Sequence, residues 1–223
     1  MTDYGLWKFI HIMLLVYWLG ADLGVFILAR AVRSAELSFD QRALLLKYAM
    51  VIDFLPRICF ALMLPVGLHL TDTSGYADVP LVVLLAGWVV AAAWLWLLQA
   101  LGKSEGTPRQ ARLSRINLAG QAVMGTVVIA AGLALLSGYG TTQLVPPWLS
   151  LKVLLFGLVF PCAIMIDVEF RPIGPAFARL ATEGSSPEVE ALITRSVDRA
   201  VWWVLAIYAL VIVISFLGAV QPR

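Results

Sequence analysis

The sequence predicts an all-α fold: a polytopic integral membrane helical bundle with six transmembrane helices, one domain over residues 1–223, and both termini outside. Three observations carry this reading. Of the 223 residues, 61% are hydrophobic and 13% are charged, where ordinary soluble domains carry about 25% charged residues. Sixteen basic and 14 acidic side chains cannot screen so much apolar surface from water. Six runs reach the roughly 20 apolar residues that cross a hydrocarbon core, and the basic residues collect in alternate connections between them.

The first span covers Gly5–Ala31. It is expected to stay in the chain, because Asp3 rather than a basic cluster precedes it and no small-residue cleavage site leads out of it. Its Gly20-x-x-x-Gly24 spacing predicts close helix approach. Next, Ser38-Phe-Asp-Gln41 reads as a capping box, which starts the second helix ahead of its span, Tyr48–Thr71. Pro56 and Pro65 predict kinks there, as does Pro161 in the fifth span. The third to sixth spans are Val79–Leu101, Leu113–Ser137, Trp148–Phe170 and Ala200–Val220. Ser186-Pro187 supplies an N-cap and a first-position proline for a helix that leads into the last span. Trp7, Trp148, Trp202 and Trp203 fall near span ends and suit an interfacial belt.

Arg30, Arg33, Arg42 and Lys47 follow the first span. Lys103, Arg109, Arg112 and Arg115 follow the third, and Arg171, Arg179, Arg195 and Arg199 the fifth. The opposite connections, residues 72–80 and 138–147, contain neither Lys nor Arg. This asymmetry places the termini outside, on the periplasmic face of a bacterial inner (plasma) membrane.

Ionisable residues inside a span are costly and mark function by default. They fall at two depths. His11, His69 and Lys152 lie within about two turns, ~10 Å, of the outer surface. His11 and His69 are the only histidines, and imidazoles on facing helices can hold a haem iron from both sides. The same residues also admit plainer roles: His69 as an interfacial side chain near Asp72, His11 as a bundle hydrogen-bonder, and Lys152 snorkelling to headgroups. Trp18 and Asp22, seven and eleven residues beyond His11, return to its helix face.

The inner layer holds Asp22, Asp53, Arg57 and Asp167 with Asn117 and Gln121. Asp53 and Arg57 are four apart and can pair on one face. The layer reads either as polar glue between helices or as a proton route or quinone-head site. Cys59 and Cys162 sit within apolar runs as small core residues. A net charge of +2 points to no nucleic acid, and no nucleotide loop, zinc pattern or nucleophile elbow is present.

Two motifs carry a family resemblance. The first span contains His11 and Trp18-Leu-Gly20 as H-x6-W-x-G, and the fifth opens Trp148-Leu-Ser-Leu-Lys152 as W-x3-K. Together they resemble a superfamily that includes copper-resistance protein D (CopD-like) domains and membrane-bound haem-b protoporphyrinogen oxidases of the HemJ type. The glycine two after Trp18 is closer to the copper-resistance branch, and Gly24–Arg30 lacks the Pro-Arg of the oxidases. The resemblance implies haem b, a ligand role for His11 and an essential role for Lys152. His11 and His69 are then the candidate metal ligands, Trp18 and Lys152 further cofactor contacts, and Lys152, Asp22, Asp53 and Arg57 the candidate catalytic groups.

The expected function is electron transfer or oxidoreduction, with a quinone or porphyrin partner. Copper handling is the alternative, with His11, Met13, His69, Met63 and Cys59 as available ligands. A third reading is an anchor or scaffold subunit without cofactor. A homo-oligomer or a partner redox protein is compatible with all three. The topology has a direct test: an alkaline phosphatase domain fused at the C-terminus is expected to be active, and one fused after Lys103 inactive. The reverse pattern inverts the bundle.

Overall fold

A computed structural model describes residues 3–104, 106–138 and 145–222 of the chain. The elements are α1 (Asp3–Val32), α2 (Phe39–Thr73), α3 (Leu81–Lys103), α4 (Pro108–Ser137), α5 (Pro147–Phe170), α6 (Ile173–Glu183) and α7 (Pro187–Val220). Among the described residues there is no strand. Among these residues six helical spans are long and apolar enough to cross a membrane, the fifth running on into α6. The protein is an integral membrane helical bundle.

Local sequence sets the helix ends. The capping box forms in both directions: the Gln41 amide donates to Ser38 Oγ at 3.3 Å, and the Ser38 amide donates to Gln41 Oε1 at 2.9 Å. The Ser186 hydroxyl accepts from the Val189 amide at 3.3 Å, so α7 starts well before its span. α3 begins at Leu81, two residues later than expected, because Pro80 takes extended backbone as its N-cap and disfavours helix at the residue before it. Gly138 closes α4 in the left-handed conformation, φ 71°, which a residue without Cβ adopts without strain.

The spanning helices form a ring. α1 packs on α2 and α7, α2 on α3, α3 on α4, α4 on α5, and α5 on α7. α1 and α2 run antiparallel in constant register, with Trp7 facing His69, His11 facing Gly67, Trp18 facing Phe60 and Gly24 facing Ile52. Aromatic rings fill the centre. Phe60 sits 4.7–5.6 Å, centroid to centroid, from Trp18, Trp94, Phe156 and Phe160. Val128, Val159, Ile207 and Val211 complete this core.

A second, smaller core lies at the end where α1 gives way to α2. Val32, Ile173, Phe177, Leu180, Val189, Ile193 and Val197 join the end of α1, the amphipathic α6 and the start of α7. Arg42 locks it. Although positioned as one of the charges that set orientation, Arg42 is only 1% exposed. Its Nε donates to the Val32 carbonyl at 2.7 Å, while Nη1 and Nη2 donate to the Glu190 carboxylate at 2.8 and 3.0 Å. A bidentate fork of this kind fixes geometry as well as charge. It ties three helix ends together. Arg33 also pairs with Asp198, and Arg199 with Glu169.

The close approach expected at Gly20 and Gly24 occurs elsewhere. A Cβ on Gly20 would meet nothing within 4 Å, and one on Gly24 only the Ile52 side chain at 3.9 Å. It is α4 and α5 that touch backbone to backbone. A Cβ on Gly132 would lie 2.6 Å from the Leu154 N and Cα, and one on Gly157 would lie 2.8 Å from the Ile129 N. Gly132→Ala and Gly157→Ala are therefore expected to destabilise the bundle by about 1–3 kcal/mol each through overpacking. Gly20→Ala should stay within about 0.5 kcal/mol. Thermal melts of the detergent-purified variants distinguish the two sites, and a sensitive Gly20 with tolerant α4–α5 glycines would refute this packing.

Candidate functional site

The polar residues of the spans form two layers, with the Phe60 aromatic cluster between them. On α2, His69 and Arg57 are twelve residues apart, about 18 Å along a helix, and Phe60 lies between. Trp18 belongs to this divider. It is 5% exposed and packs on Phe60, which makes it a core residue of the layer separating the two sites.

In the His layer, constant register brings His11 of α1 against Gly67 of α2, where a Cβ would stand 3.6 Å from His11 Cε1. His11 Nδ1 is buried and has no hydrogen-bond partner. Burying such a nitrogen without a partner is costly. Lys152 of α5 is within electrostatic reach of His11. Its ammonium rests on α7 where Gly218 leaves room, with Nζ 2.8 Å from the position a Cβ would take.

His69 is held differently. Its ring stacks on Trp7 at 4.3 Å and 7° between planes, and its Nε2 accepts from Trp88 Nε1 at 2.9 Å. That bond uses the Nε2 lone pair. The two histidines thus share the α1–α2 interface but have different surroundings, one unpartnered and one clamped between tryptophans. Trp7 lies four residues before His11, a helical spacing that put it near this face. Trp88 had no such signal, because its contribution depends on how α3 docks beside Pro65 through Gly87.

The inner residues come together across four helices. Arg57 Nε donates to Asp53 at 2.6 Å and Nη2 donates to Asp167 of α5 at 3.1 Å. The other Asp167 oxygen accepts from Asn117 at 3.4 Å and Gln121 at 3.3 Å, both on α4. Trp94 of α3 donates its indole N–H to Asn117 Oδ1 at 3.0 Å. Asp22 borders the network and faces the Tyr208 hydroxyl of α7, which is buried without a hydrogen bond of standard geometry. Three carboxylates therefore surround one guanidinium. The Arg57, Asp53 and Asp167 side chains keep 35, 29 and 22% exposure, so the network is not sealed within protein.

The soft ligands considered for copper do not form a track. Cys59 and Met63 are packed in the main core beside Phe60. Among the described residues no three His, Cys, Asp or Glu side chains converge as a metal cage. Comparison with known protein families, curated proteins and solved structures finds no match for the chain.

Geometry ranks the inner carboxylates. Asp167 joins α5 to α2 and α4, whereas Asp53 only pairs within its own helix. Asp167→Ala leaves Arg57, Asn117 and Gln121 short of an acceptor and is expected to cost about 2 kcal/mol. Asp53→Ala, the loss of an i,i+4 partner, should cost about 1 kcal/mol or less. Thermal unfolding in detergent measures both, and equal losses would contradict a network centred on Asp167.

Proposed function

We propose that this protein is a membrane b-type haem protein of electron transfer or oxidoreduction, with the cofactor near His11 and the basic end of the bundle in the cytoplasm. The single observation that supports this most is the His11 Nδ1, buried in an apolar interface with no partner. A structural histidine in such a place satisfies its ring nitrogens within the bundle, whereas a ligand keeps one available. The resemblance in the first and fifth spans points to the same residue.

The chain's own groups suit that role. His11 offers an imidazole nitrogen without a partner, at the α1–α2 seam where its ring lies against Gly67. Lys152 brings a cation to the same depth, matched to a carboxylate of a porphyrin or of a substrate. Haem bound there would supply one-electron redox chemistry, its potential tuned by ligand identity and burial. His69 can act as a second ligand through Nε2 only by giving up its Trp88 bond, so His11 is the ligand we assign first. The aromatic divider around Phe60 packs between the two layers. On the far side the Asp22–Asp53–Arg57–Asp167 group offers carboxylates able to take up and release protons beside a quinone or porphyrin partner.

The test is the visible spectrum of the detergent-purified protein, oxidised and dithionite-reduced, with metal analysis of the same sample. A Soret band, sharp reduced α and β bands and about one iron per chain are expected. His11→Ala should lose most of the haem while keeping its gel-filtration profile, and His69→Ala should retain it. Unchanged spectra in His11→Ala would remove His11 as ligand. A colourless, iron-free protein from haem-replete cells would refute the haem reading, and copper in its place would favour the copper-handling alternative.

A further inference from the structure

We propose that the α3–α4 hairpin carries a binding site for one anionic phospholipid of the leaflet at the basic end. Two adjoining hollows open between these helices, of about 230 and 450 Å³, sharing Trp96 and Arg109. The first is polar, reaching Lys103, Ser104 and Arg109. The second runs down over Leu97, Leu113 and Ile116, with Arg112 at its rim. Charge above and apolar wall below match a phosphate headgroup followed by an acyl chain. Trp96, 62% exposed, stands seven residues before Lys103, about 10 Å along the helix. That is the depth at which indole rings favour the headgroup boundary.

What sets this connection apart is that three cations without an ion pair among the described residues line the same two hollows. At the same end, Arg33 pairs with Asp198, Arg42 with Glu190, Arg179 with Glu183 and Arg199 with Glu169. Lys103, Arg109 and Arg112 are exposed and make no ion pair among the described residues, and the only acidic residue in the α3–α4 connection is Glu105. The N-terminus of α4 adds to the field. Thr107 makes no side-chain cap bond there, and its hydroxyl donates instead to the Ser104 carbonyl at 2.6 Å. Pro108 has no amide hydrogen and the Gln110 amide already donates to the Thr107 carbonyl at 3.0 Å, so in this first turn it is the Arg109 amide that remains for an anion. Basic pockets between spanning helices recognise anionic headgroups in this way.

Native mass spectrometry of the full chain in detergent, titrated with phosphatidylglycerol or phosphatidylcholine, tests the proposal. One phosphatidylglycerol should bind at least about tenfold more tightly than phosphatidylcholine. The triple variant Lys103→Gln/Arg109→Gln/Arg112→Gln should lose that preference, as should the single Arg109→Glu if the triple variant does not fold. A control lacking the same number of charges elsewhere at this end, Lys47→Gln/Arg171→Gln/Arg195→Gln, should keep it. Equal binding of the two lipids, or equal loss in the control, would overturn the site. Glycerol phosphate that stabilises the protein as much as the lipid does would overturn the assignment to a lipid.

Discussion

A cation placed deep in a membrane span has to be answered by the protein, and Arg57 is where this bundle meets that constraint. Helices within a bilayer gain little from hiding apolar surface, since lipid tails are as apolar as leucine; close packing and polar contacts hold them together. Arg57 draws on Asp53 from its own helix and Asp167 from α5. Asp167 in turn engages Asn117 and Gln121 of α4, and Asn117 accepts from Trp94 of α3. One guanidinium thereby fixes how four of the six spans meet. Removing the charge and its partners together could leave a stable bundle, but removing a single member leaves others stranded.

The remaining contacts follow the same economy. Where α4 and α5 meet, glycines let the backbones touch and dispersion replaces hydrophobic drive. At the basic end, where chain leaves the apolar layer, ordinary core packing returns. There α6 and the start of α7 cover a small apolar cluster, with Arg42 and Glu190 closing it. The protein is thus built in two ways, a polar-keyed bundle in the membrane and a small hydrophobic core beside it.

Between the His layer and the carboxylate layer lies a divider of aromatic rings around Phe60. Its presence bears on any function that uses both. The two layers share helices α1, α2 and α5 but no hydrogen bond or ion pair among the described residues links them across the rings. Coupling between them would have to pass through rigid helices or through a bound group, so the chemistry proposed at His11 and the proton exchange proposed near Arg57 would be physically separable.

Composition and charge placement alone determined that the chain is a six-span helical membrane protein, because a bilayer admits few backbone solutions and apolar length is read directly along the chain. Caps at Ser38 and Ser186 were equally legible, their partners being only three residues away. The inner cluster was visible as a list of polar residues in apolar runs, and the Asp53–Arg57 pair as a helical spacing. Which helices those residues join was not visible, since Asp167 lies 110 positions from Arg57 and nothing local records the distance. The tertiary structure alone decided that Trp18 packs the divider, that His69 is spoken for by Trp88, that Arg42 is buried, and that Gly132 and Gly157, not Gly20 and Gly24, make the close contact. Each depends on which helix stands opposite, and sequence spacing specifies a helix face without specifying its neighbour.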